Sequence, residues 1–155
     1  MAAMTSSEMD AFLADTHLAR LATVRPKGRP HVVPMWFSWD GEYVYMETLP
    51  NSVKARNLAT NPNCALTIDL TQGGLRFKGV ILEGRADLLA DPEFARAMVD
   101  RIFAKYVGEE GLGTPTLNQM RARDHVIIRL KPDRVHVWDD TRSALAPLRN
   151  TSAAC

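Results

Sequence analysis

The side chains best suited to chemistry form one short run, Asn51-Ser52-Val53-Lys54-Ala55-Arg56-Asn57-Leu58. At a helix start the unbonded backbone N–H groups and the positive end of the helix dipole favour an anion, and Ser52, Lys54, Arg56 and Asn57 add donors around them. A phosphate is the group such an arrangement holds. Lys54 and Asn57 lie three residues apart and share a helix face, whereas Arg56 points to another, so one anion cannot engage all three without help from the preceding loop. The same spacing also describes a solvated short helix with ordinary surface charge, and the sequence alone leaves both readings open.

A second run, Gly28 to Phe37, is unusually bulky. Period two separates His31, Val33, Met35, Phe37 and Trp39 from Val32, Pro34, Trp36 and Ser38, and both sets are largely apolar. A proline inside a strand belongs at an edge or a bulge, so Pro34 suggests an interruption where free backbone groups can meet a planar ligand. The plainer alternative is a barrel strand packed on both faces. His17, His31, His125 and His136 are isolated and lack the spacing of a metal site, so each reads as a barrel or surface histidine. Asp69 and Glu83 fall on strands and are as readily ion-paired wall residues as an acid or base. The sequence has no GxGxxG, Walker or nucleophile-elbow motif to support Rossmann dinucleotide binding, nucleotide hydrolysis or serine hydrolase chemistry.

The elements that must position these residues follow from hydrophobic period and turn chemistry. A first helix, capped by Thr5, Ser6 or Ser7 and carrying Met9, Phe12 and Leu13, ends near Asp15. Strands are expected over Leu18 to Val24, His31 to Trp39 and Tyr43 to Thr48, with turns at Pro26-Lys27-Gly28 and Asp40-Gly41. A short helix from Ser52 to Thr60, capped by Asn51 or Ser52, stops at Asn61-Pro62. Strands then run over Cys64 to Leu70 and, after Gln72-Gly73-Gly74, from Leu75 towards Leu89, with bulges or bends at Gly79 and Gly84. Asp91-Pro92 opens the clearest helix, whose stripe of Phe94, Met98, Ile102 and Tyr106 reads as core packing. Gly108 to Pro115 reads as a loop, and Val126 to Leu130 with Arg134 to Trp138 as a closing hairpin around Pro132-Asp133. About seven strands joined mostly by tight turns make a largely antiparallel barrel with helical additions.

Composition sets the outer limits. The 155 residues suit one domain spanning 1–155, and 46% hydrophobic with 24% charged residues is the profile of an ordinary globular chain. The 19 basic and 18 acidic residues give a net charge of +1, so no global field recommends nucleic acid or an acidic membrane as partner. Apolar stretches such as Val32 to Phe37 fall far short of the roughly 20 residues of a membrane helix. Met1 to Asp15 lacks the pattern of a secretory signal. Cys64 in an apolar run and Cys155 at the last position fit neither a disulfide nor a metal site, which agrees with a cytoplasmic location.

Leu21-Ala22-Thr23-Val24, the turn Gly28-Arg29-Pro30, Val33-Pro34-Met35-Trp36-Phe37, Asp40-Gly41, and Lys54-Ala55-Arg56-Asn57-Leu58 with Asn61-Pro62 occur in that order. In this order and spacing the chain resembles the pyridoxamine 5'-phosphate oxidase-like, FMN-binding split β-barrel superfamily. Within it, the closest likeness is to the branch of F420-dependent PPOX-class oxidoreductases. The likeness runs from about Leu18 to Leu89 and continues more weakly to Trp138. It implies a mainly β, antiparallel split barrel with α additions, acting as a homodimer with cofactor sites between the subunits. The family's phosphate-binding positions fall on Ser52, Lys54, Arg56 and Asn57, and those flanking the ring near Val33, Pro34, Met35, Trp36 and Thr48. Arg76 and Lys78 are candidate second contacts to the phosphate or tail, and Trp138 a contribution from the opposite subunit. Residues 139–155 do not resemble the C-terminal substrate-binding segment of a true pyridoxamine phosphate oxidase, so that particular activity is not expected.

The function implied is an oxidoreductase in which reduced deazaflavin coenzyme F420 delivers hydride to an electron-poor double bond of a small organic substrate. No catalytic residue is required, and Tyr45 is only a candidate proton donor. FMN is the alternative cofactor, since the same anchor binds either phosphate. The longer F420 tail calls for further cations, which Arg29, Arg56, Arg76 and Lys78 are placed to supply. From another class comes a non-catalytic protein that stores the coenzyme, or holds haem through His31.

Overall fold

The structure, a computed structural model, describes residues 4–71 and 77–142. The Gln72-Gly73-Gly74 turn, Leu75, Arg76 and Cys155 lie outside them. Helix α1 (Ser6–Ala14) opens on a capping box in which the Thr5 side chain accepts the Glu8 N–H and the Glu8 carboxylate accepts the Thr5 N–H. Strands β1 (Ala19–Val24) and β2 (Pro30–Met35) form a hairpin, and β3 (Ser38–Trp39) and β4 (Val44–Thr48) another. Then come α2 (Val53–Thr60), β5 (Asn63–Thr71), β6 (Phe77–Leu89), α3 (Pro92–Leu112), α4 (Pro115–Arg121) and β7 (Val126–Asp139). All seven strands join one antiparallel sheet in the order β2-β1-β5-β6-β7-β4-β3, curled into a split barrel. The expected mainly β, antiparallel split barrel with helical additions is the one found.

Two cores fix this shape. Leu21, Phe37, Met46, Leu66, Ile68, Leu82 and Leu130 fill the barrel, and α1 plugs one end with Phe12 and Leu13. On the outer face α3 packs Met98, Val99, Ile102 and Phe103 against Tyr45 and Ile127. Neighbours Ile127 and Ile128 are both fully buried because α3 covers one face of β7 and the barrel interior the other.

Several expectations are corrected. The strand expected from His31 to Trp39 breaks at Trp36-Phe37, where the Phe37 N–H leaves the ladder and donates to the Tyr106 hydroxyl at 3.3 Å. Nor is β2 packed on both faces: it is an edge strand with Pro30, Val32 and Pro34 facing outward, which is where a residue lacking an N–H is tolerated. The closing hairpin does not form, because β7 is one strand pairing with β6 along its length and with β4 over its first half. Pro132-Asp133 marks a bulge instead: Gly84 pairs with Pro132 and Glu83 with Arg134, so Asp133 is the extra residue. Gly84 is needed there, since a Cβ would lie 2.2 Å from the Lys131 carbonyl oxygen. Gly79 is no bulge: its bare Cα lets the Trp138 ring lie flat against the strand, where a Cβ would come within 2.4 Å of the ring. Gly108 does interrupt α3, with φ of 71°, but helical turns resume to Leu112 where a loop was expected.

Candidate functional site

The first cavity, about 510 Å³, lies where β2 runs out, β4 ends and α2 begins. Its anion-binding side is built by the start of α2. Ser52 caps the helix: its Oγ accepts the Ala55 N–H at 3.2 Å and the hydroxyl of buried Thr48 at 2.9 Å. Both oxygen lone pairs are thereby used, and the Ser52 O–H is left to donate to a ligand. Among the described residues no acceptor takes the N–H groups of Val53 and Lys54. Lys54 itself is half-buried on the cavity wall. Burial pushes its pKa below the ordinary lysine value, only partly offset by attraction to Glu47, so an incoming anion would restore a stabilising partner to this ammonium.

The apolar side is Pro34, Met35 and Trp36, faced by Phe103 of α3, with Leu18 and Leu49 at the margin. Trp36 is held rigidly, stacked on Tyr106 at 4.8 Å between centroids and 4° between planes and edge-on to Phe103 at 5.4 Å. Tyr106 is fixed in turn, because its hydroxyl donates to the His17 carbonyl at 2.7 Å and accepts the Phe37 N–H.

Between these sides stands a pair the sequence reading missed. His125 Nδ1 lies 3.0 Å from Glu47 Oε2, and its Nε2 lies 2.8 Å from the Met120 carbonyl oxygen. The ring is thus held from both sides, by the Glu47 carboxylate at Nδ1 and by the Met120 carbonyl at Nε2. No local signal marks this pair: 78 positions separate its members, and they meet only because β4 pairs with β7, Glu47 opposite Ile127. Phe103, Met120 and Arg123 reach the cavity from elements whose packing no short spacing encodes.

Of the residues named from the sequence, Pro34, Met35, Trp36, Thr48, Ser52 and Lys54 line this one cavity. The others are placed elsewhere. Asn57 is buried and donates through Nδ2 to Thr23 Oγ1 at 2.9 Å, tying α2 to β1. Arg56 is exposed on the outer face of α2, and Val33 packs against the barrel core. Lys78 sits over the Phe12 ring at 5.1 Å, and Trp138 lies on Gly79. Arg76 lies outside the described residues. His31 makes a 3.4 Å contact with Thr23 Oγ1 and does not line the cavity. Tyr45 is turned into the α3 core, its hydroxyl donating to Asp40 at 2.9 Å, and so is not placed to give a proton in the cavity. Asp69 and Glu83 are ion-paired wall residues, to Arg20 at 2.6 Å and Arg134 at 3.5 Å. Among the described residues no cluster of three or more His, Cys, Asp or Glu could hold a metal ion, and no helix is long and apolar enough to cross a membrane.

A slot lined by Pro34, Met35 and Trp36, with Ser52 and Lys54 at one side, is thus carried on a seven-stranded split barrel. The chain belongs to the pyridoxamine 5'-phosphate oxidase family, whose model matches residues 5–139. Among solved structures it is similar to the conserved hypothetical protein Rv2991 of Mycobacterium tuberculosis, at 29% identity and a TM-score of 0.76, covering 88% of this chain and 85% of that one. It is also similar to an F420 reductase, at 30% identity and a TM-score of 0.65, covering 82% and 94%. HutZ, a haem storage protein of Vibrio cholerae, shares the fold at 20% identity and a TM-score of 0.66, covering 86% and 92%. No curated protein matches the chain.

Proposed function

We propose that this chain is an oxidoreductase that binds coenzyme F420 and reduces a small electron-poor organic substrate, acting as a homodimer. The observation that carries the reading is the joining of the Ser52–Lys54 anchor to the Pro34–Trp36 slot in one cavity. The residues fit the cofactor: Lys54, the Ser52 hydroxyl and the two free N–H groups match a phosphate, and the rigidly held Trp36 beside Pro34 and Met35 matches a flat ring system. F420, when bound in reduced form, supplies the hydride. Lys54 and Ser52 fix the anionic end, which sets how far the ring reaches along Met35 and Trp36. Phe103, Leu18 and Leu49 exclude water from the slot. The hydrogen-bonded Glu47–His125 pair lies on the same wall, better placed than Tyr45 to pass a proton to the product. The 30% likeness to an F420 reductase supports F420 over FMN. Storage of haem has less support, because the cavity's own histidine has both nitrogens engaged and His31 lies off its lining.

The second subunit is proposed from exposed apolar surface around the slot. Val32 is 60% exposed, Leu18 46% and Leu49 39%, and a partner barrel would cover them. The test is a competition between F420 and FMN at low and moderate salt, with wild type and Lys54→Ala. F420 preference is expected, together with an affinity loss of about tenfold or more in Lys54→Ala at an unchanged melting temperature. Equal affinity or an FMN preference at both salts would leave an FMN-dependent enzyme, and an unaltered Lys54→Ala affinity would remove the anchor.

A further inference from the structure

A second cavity, about 610 Å³, adjoins the first, and the two share only Arg123 and His125. Its walls come from α2, the end of β6, the first turns of α3 and the residues leading into β7. We propose that it binds a small amphipathic carboxylate, the anionic group held by Arg96 and Arg123 and the apolar body lying against Leu88, Ala95 and Val126. This site is separate from the cofactor reading and stands whether or not the first cavity takes F420.

The charges at the site decide the ligand's charge. Three arginines line the cavity, but Arg121 is committed: its Nε donates to Asp100 at 2.6 Å, joining α4 to α3. Arg96 and Arg123 have no carboxylate partner among the described residues. Asp124, also on the lining, offsets one of those two charges, and His125 is turned away to Glu47 and Met120. One net positive charge remains, which suits a carboxylate better than a doubly charged phosphate. A guanidinium fork also matches a carboxylate's two oxygens. The rest of the wall is alanine, proline, leucine and valine, with nothing to satisfy further polar groups on the ligand. A single anionic group on a compact apolar body is therefore the chemistry that fits.

The probes are benzoate, its neutral isostere benzamide, and inorganic phosphate, each titrated into the full chain and followed by backbone amide shifts. Saturable benzoate shifts at Leu88 and Ala90 are expected, with benzamide and phosphate each weaker by about tenfold or more. Arg96→Gln, an exposed change, should weaken benzoate to a similar degree, and Ala90→Trp, which adds bulk to the lining, should abolish it. Lys54→Ala should leave it unchanged. The proposal is overturned if benzoate does not saturate, or if benzamide or phosphate binds as tightly. A loss caused by Lys54→Ala and not by Arg96→Gln would place the binding in the first cavity and overturn it equally.

Discussion

Lys54 is half-buried and only partly compensated by Glu47, so its charge is held at a cost that the proposed phosphate contact would reduce. Burial has lowered its pKa, and a bound phosphate favours the ammonium, so binding draws the group back towards its ordinary value. Cofactor affinity should accordingly fall as pH rises from neutral into the alkaline range through the lowered pKa. In Lys54→Arg, whose charge does not titrate there, the fall should be absent; calorimetric titration across that range decides it. Asn57, three residues on, works differently. Its buried amide bonds to Thr23, so Asn57→Ala should cost about 1–3 kcal/mol of stability in denaturant unfolding, with any loss of affinity following from a looser α2. Sequence spacing put Lys54 and Asn57 on one helix face, but a face can look into a core as well as a cavity, and only the Thr23 partner tells which.

At the scale of elements, what was legible had a local cause. Thr5 with Glu8, Ser52 before α2 and Asp91-Pro92 before α3 announced their helices because each satisfies end groups within a few residues. Ser52 and Lys54 drew notice for the same local reason, whereas Pro34–Trp36 were named through the family likeness, their spacing suiting a packed barrel strand equally well. Pro132-Asp133 misled because a proline beside an aspartate makes a turn or a bulge equally well, and the choice rests with Gly84 on the neighbouring strand. Gly84→Ala tests that choice: its Cβ meets the Lys131 backbone, which has no rotamer to change, so the β6–β7 ladder must shift. A loss of about 2–4 kcal/mol is expected in equilibrium unfolding, well above an ordinary surface substitution. The Glu47–His125 pair and Phe103 stayed hidden because sheet order, unlike capping, is written in no short window.

For the whole molecule, the exposed Val32 lies on the edge strand that carries Pro34 and Met35 into the first cavity, so in the proposed dimer a partner covering that strand would also border the cavity. Val32→Glu should shift light scattering towards a monomer and weaken cofactor binding with it, while the far-ultraviolet spectrum stays that of the folded barrel. A monomeric wild type that still binds cofactor tightly would refute the dimer. The sheet order has one more consequence. Beyond its own small hairpin with β3, strand β4 pairs among the described residues with β7, the last described strand, and it is there that Glu47 finds His125. A chain emerging from the ribosome has therefore made Lys54, Pro34 and Trp36 long before it can close a cavity around them. Such distant pairings slow folding, and the capacity to bind arrives late, with the final strand.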